Sequence, residues 1–112
     1  MKYKIVLVPF PFDDLTATKV RPAVCLTDEI KPHNHIVLAF ITSKVSASAS
    51  ATDFVIDKSA ADFATTGLKV SSTIRLHRLM TVTKSIILRE LGELSSTQQT
   101  EIDNRLRKLF NL

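Results

Sequence analysis

Residues 36–42, Ile-Val-Leu-Ala-Phe-Ile-Thr, are almost wholly apolar. A run that lacks polar alternation reads as a strand buried on both sides. Shorter runs of the same character stand on either side of it. Residues 5–8 form an apolar, β-branched strand that ends at Pro9, and Arg21-Pro22 opens a second over residues 23–27. A further strand is expected over residues 53–57, and another over 68–76, where Ile74 and Leu76 alternate with Arg75 and His77. That alternation points Arg75 and His77 to one face. Residues 80–82 can extend the sheet, whereas the apolar residues 86–88 fit helix or strand equally.

The breaks are polar. Residues 13–20 read as an exposed loop, Pro32, His33, Asn34 and His35 as a turn, and residues 43–52 (SKVSASASAT) as a loop of small residues. Residues 57–66 fit one helical turn ahead of a chain reversal at Gly67. Near the end, residues 96–99 have capping-box spacing, in which Ser96 and Gln99 satisfy each other's free amides. A helix should start there, with Ile102, Leu106, Leu109 and Phe110 on its apolar face. Arg105, Arg107 and Lys108 suit the negative end of its dipole and read as a solvated face. Short strands closed by one terminal helix predict a mostly β fold: a small, antiparallel barrel in one domain, 1–112.

Composition narrows the function. With 45% hydrophobic and 23% charged residues the chain can bury a core. Its net charge of +4 favours a polyanionic partner, although a mildly basic solvated surface explains the same number. Cys25 is the only cysteine, so there is no internal disulfide, and its apolar surroundings predict an inert, buried thiol. Residues 5–12 are too short to span a membrane and no cleavage signal follows, which predicts a cytoplasmic protein. Phosphate-binding glycine loops, serine-hydrolase elbows and zinc-binding His-Glu helices are all missing. His33 and His35 lack a third ligand at metal-site spacing, so no metal or other cofactor is expected.

What remains is a set of polar residues at strand ends: Arg21 before Pro22, Thr42 and Ser43 closing the apolar strand, and Arg75 with His77. Each has an ordinary structural account, as a surface cation, a turn hydroxyl or the wet side of a strand.

Together they carry a resemblance. Residues 6–15 (VLVPFPFDDL), 19–24 (KVRPAV), 39–43 (AFITS), 67–76 (GLKVSSTIRL) and 91–94 (LGEL) resemble the MazF/PemK toxins over nearly the whole chain. The resemblance implies an SH3-like barrel, a homodimer and metal-independent, sequence-selective cleavage of single-stranded RNA, restrained by a cognate antitoxin. It implies catalytic roles for Arg21, Thr42 and Arg75. Two residues beyond Arg75, where the family often carries an acid, stands His77. The first loop has Thr16 and Thr18, with Asp13 and Asp14 as its acids, so the general base is either His77 or one of these. RNA contacts are expected from Asp14, Thr16, Thr18 and Lys19 in the first loop and from Ser43 and Lys44 in the second.

RNA supplies its own nucleophile, the 2′-hydroxyl, so cleavage needs only a base, cations for the crowded phosphorus and an acid for the leaving oxygen. Two other readings use the same barrel: a partner-binding inhibitor such as the CcdB-type gyrase poisons, and a weakly catalytic RNA-binding module.

Overall fold

The computed structural model describes residues 1–10, 19–45 and 50–112. Its strands are β1 (Lys4–Phe10), β2 (Lys19–Cys25), β3 (His35–Thr42), β4 (Asp53–Ile56), β5 (Ser72–Thr83) and β6 (Arg89–Glu93). They form one antiparallel sheet in the order β4-β5-β3-β2-β1-β6, curled into a half-barrel, and helix α1 (Ser96–Phe110) ends the chain.

The apolar run in β3 does fill both sides of the sheet. Ile36 and Leu38 pack with Val6, Val8, Ala23, Cys25 and Val82, while Ala39 and Ile41 pack with Ile5, Val24, Ile74, Leu76 and the helix residue Ile102. At about 25 cal/mol per Å² of apolar surface, this double burial makes β3 the strand on which the others are assembled.

Pro9 does not end β1 as expected, since pairing with β2 runs on through Phe10; it is Pro22 that marks where a pairing stops. β2 pairs with β1 from Lys19 to Val24, but with β3 only from Ala23 to Cys25. Pro22 has no amide hydrogen to offer β3, so the two strands part just there. β3 continues past the fork, pairing Ile41 and Thr42 with Ile74 and Thr73 of β5.

β5 unites the two segments expected at residues 68–76 and 80–82, but it begins only at Ser72. The reason is the length of β4, whose last residue, Ile56, pairs with Ser72 and leaves nothing to pair with residues 68–71. Opposite β3 the register jumps: Phe40 faces Arg75 while its neighbour Ala39 faces Leu79. Residues 76–78 therefore bulge out of the ladder, and the Leu76 amide donates instead to the Thr52 carbonyl at 3.0 Å.

The ambiguous residues 86–88 close a 3-10 turn, Lys84–Ile86, and then run extended into β6; Leu88 donates to the Leu7 carbonyl at 2.9 Å. The helical turn expected within 57–66 is a second 3-10 turn, Ala64–Thr66, capped by Gly67 at φ 72°. Its backbone lies directly on β6, where a Cβ on Gly67 would fall 2.1 Å from the Leu91 carbonyl oxygen.

Two details of α1 correct the sequence reading. Its N-cap is Ser95, not Ser96: Ser95 accepts from the Gln98 amide at 3.1 Å and its own amide donates to the Gln98 side chain at 2.8 Å. The doubled Ser-Ser and Gln-Gln pairs fit the box in either register, and Ser95 gains a further bond to Asp62 at 2.6 Å. Phe110, expected on the apolar face, is exposed, whereas Ile102 is fully buried and Leu106 packs against the core. No helix is long and apolar enough to cross a membrane among the described residues.

Candidate functional site

The fork between β2 and β3 opens a cavity of about 250 Å³ lined by Arg21, Phe40, Ile41, Thr42, Ser43, Lys44, Arg75 and Arg78. Among the described residues, Arg21 stands on the part of β2 that only β1 pairs, and Thr42 on the part of β3 that only β5 pairs. Strand divergence thus places a guanidinium and a hydroxyl at one opening. The Thr42 hydroxyl accepts the Lys44 amide at 3.2 Å and keeps its own proton to donate. Behind it, buried Thr73 donates to the Lys44 carbonyl at 2.9 Å and fixes the turn that carries Ser43.

Arg21, Lys44, Arg75 and Arg78 line this cavity with positive charge, and no carboxylate lines it among the described residues. Such a concentration of cations round a small opening is matched by a phosphate, whose oxygens a guanidinium can hold in pairs. Across Arg21 lies a second cavity of about 280 Å³, whose walls include Leu7, Pro22, Leu68, Val70 and Leu91 and whose rim carries Lys69 and Arg89. The two share Arg21, Ile41 and Ser43.

A carboxylate beside one lining residue of the first cavity belongs to Asp53 on β4, the register partner of Arg75. Its Oδ1 lies 3.9 Å from Arg75 Nε and 4.0 Å from His77 Nδ1. His77 Nδ1 also meets the Thr52 hydroxyl at 3.2 Å.

Of the residues singled out in the sequence, Arg21, Thr42, Ser43, Lys44 and Arg75 are brought together round one opening. His77 is exposed on the bulge beside Asp53 and does not line that cavity. Lys19 is exposed at the start of β2 and does not line it either. Asp14, Thr16 and Thr18, with Asp13, lie outside the described residues. Sequence reasoning missed Arg78, because strict alternation sets it opposite Arg75 and only the bulge turns both to the cavity. It also missed Asp53, which no spacing in the sequence connects to Arg75.

His33 and His35 stack with ring centroids 5.3 Å apart in the turn before β3. No group of three or more His, Cys, Asp or Glu side chains gathers as a metal site among the described residues. Burial pushes the Cys25 thiol up to about 11.

The sequence model of the PemK-like, MazF-like toxins of type II toxin-antitoxin systems matches residues 1–110. No protein of curated function matches the chain by sequence. Among solved structures, the Mycobacterium tuberculosis toxin MazF-mt6 is similar at 24% identity, covering 97% of each chain with a TM-score of 0.74. A mycobacterial endoribonuclease in complex with its cognate antitoxin is similar at 12% identity, covering 100% of this chain and 95% of that one, with a TM-score of 0.75. MazE-MazF from Deinococcus radiodurans matches at 14% identity over 99% of this chain and 95% of that one, TM-score 0.70. At such identities these structures share the fold.

Proposed function

Given that the chain belongs to the PemK-like, MazF-like toxins of type II toxin-antitoxin systems, a family of endoribonucleases, we propose that it cleaves single-stranded RNA at the β2–β3 fork. The observation that carries this reading is the cationic cavity in which Arg21 and Thr42 meet.

In this reading the scissile phosphate enters between Arg21 and Arg75. Arg21 holds two of its oxygens, and Thr42 and Ser43 donate to the phosphate from the opposite strand. The 2′-hydroxyl of the upstream ribose attacks phosphorus, its O–H bond breaking as the new P–O bond forms. The bond to the 5′-oxygen then breaks and that oxygen takes up a proton. The products are a cyclic phosphate and a 5′-hydroxyl. Charge grows on the phosphorane oxygens, so cations fixed in place before the reaction stabilise the transition state more than the ground state.

Among the described residues, the cavity lining offers cations and hydroxyls and no base. His77 is the candidate proton acceptor: its Nδ1 is turned to Thr52 and Asp53, which leaves Nε2 for substrate. The second cavity takes the neighbouring nucleotide, its base on the apolar wall and its phosphate at Lys69 and Arg89. As a toxin the protein pairs with a cognate antitoxin and acts as a homodimer in the cytoplasm.

The test is cleavage of a single-stranded RNA in excess EDTA, with the ends mapped, beside the same strand carrying one 2′-deoxy sugar at the cut site. Cleavage of the first and survival of the second is the expected pair of results. Equal cleavage of both would refute 2′-hydroxyl attack, and cleavage of neither would refute the nuclease reading.

A further inference from the structure

Asp53 is a half-buried acid whose Oδ1 is shut away from solvent. Its side chain is 13% exposed, and among the described residues Oδ1 has no hydrogen-bond partner although Arg75 Nε, itself buried and unpartnered there, lies only 3.9 Å away. Leaving both halves of a charged pair unsatisfied is costly, and closing the gap by about 1 Å would make a charge-assisted hydrogen bond.

The backbone that carries Asp53 is clamped. Arg105 reaches from α1 and donates through Nη1 to the carbonyls of Ala51 at 3.1 Å and Asp53 at 2.8 Å. Glu101 holds the same guanidinium through Nε at 2.8 Å. From the other side the Leu76 amide donates to the Thr52 carbonyl at 3.0 Å. The carboxylate is therefore the fixed member of the pair, and the longer Arg75 side chain, 40% exposed, is the movable one.

We propose that Asp53 is a positioning residue for Arg75: its carboxylate takes the Nε edge of the guanidinium and turns the remaining N–H groups toward the phosphate in the cavity. This rests on the nuclease reading above. The carboxylate also offsets part of the repulsion among Arg21, Lys44, Arg75 and Arg78, so that Arg75 stays at the cavity when no RNA is bound. Its function is geometric, and it touches no reacting atom.

The experiment is a double-mutant cycle on single-stranded RNA cleavage, with Asp53→Asn introduced into the wild type and into Arg75→Ala. In the wild type kcat should fall about ten- to a hundredfold, the effect of misplacing a group by about 1 Å, with KM nearly unchanged. In Arg75→Ala the same change should cost less than about twofold, and Asp53→Glu should restore part of the wild-type rate. Equal losses in both backgrounds, or no loss in either, overturn the proposal.

The Arg75 Nε–H resonance gives a reading that needs no cleavage. On addition of an uncleavable 2′-deoxy oligonucleotide its exchange with solvent should slow in the wild type and not in Asp53→Asn. Identical exchange in the two proteins overturns the proposal, even for a protein that cuts no RNA. Absence of cleavage by the wild type counts against the nuclease reading instead.

Discussion

Arg21 and Thr42 line one cavity from strands whose mutual pairing ends two residues short of each, at Ala23 on β2 and at Phe40 on β3. Pro22 causes the separation by removing the donor that β3 would use. The site is thus a gap left by a terminated ladder, and its walls stay anchored to β1 on one side and β5 on the other.

Removing the clamp should abolish most activity while leaving the fold intact. Arg21 is exposed on β2 and lines the cavity, so Arg21→Ala should melt with the wild type and lose about two to four orders of magnitude in kcat. Arg21→Lys should recover little, because an ammonium cannot hold two phosphate oxygens in a plane. Wild-type cleavage by Arg21→Ala would remove this residue from the site.

The strand ends were legible in the sequence because their chemistry is local. Arg21 announces itself by the proline after it, and Thr42 by closing an apolar run. Arg78 was hidden because alternation is a rule for regular strands, and the bulge at residues 76–78 suspends it. Asp53 was hidden for a different reason: its partner Arg75 lies across a strand pairing, and register between β4 and β5 is not written in either segment alone. The helix start was off by one because Ser95-Gln98 and Ser96-Gln99 satisfy the same spacing, and a tertiary bond to Asp62 chooses between them.

Gly67 is a structural requirement. At φ 72°, and with a Cβ falling 2.1 Å from the Leu91 carbonyl oxygen, Gly67→Ala must both strain its backbone and push the 3-10 turn off β6. A loss of about 2–4 kcal/mol follows, seen as a Tm lower by about 10 °C or more. An unchanged Tm would mean that this turn does not pack on β6 as described.

The Cys25 thiol makes stability fall at alkaline pH. Burial holds it up to about 11, so the folded chain keeps a proton that the unfolded chain releases from about pH 8.5. Below that pH both states are protonated and nothing changes. Above it the unfolded state binds fewer protons, and stability declines by up to about 1.4 kcal/mol per pH unit until about 11. Denaturant midpoints at pH 8 and pH 10 should therefore draw together in Cys25→Ala relative to the wild type. The folded protein should also resist iodoacetamide at pH 8, and prompt alkylation would show that the thiol is not held inside.

Lys69 and Arg89 separate binding from chemistry. Both line the second cavity and neither lines the first, which holds Thr42 and Arg75, so in the nuclease reading they meet a flanking phosphate and not the scissile one. Removing either should raise KM for a single-stranded RNA and leave kcat within about twofold, since a contact made equally in ground and transition states affects binding alone. Each lost phosphate contact should also reduce the salt dependence of affinity by about 0.7 in log-log slope. The double variant should lose less than the sum of the two effects, because both cations meet the same flanking phosphate. A fall in kcat with KM and salt slope unchanged would move Lys69 and Arg89 into the reacting centre and leave the second cavity without a substrate to hold.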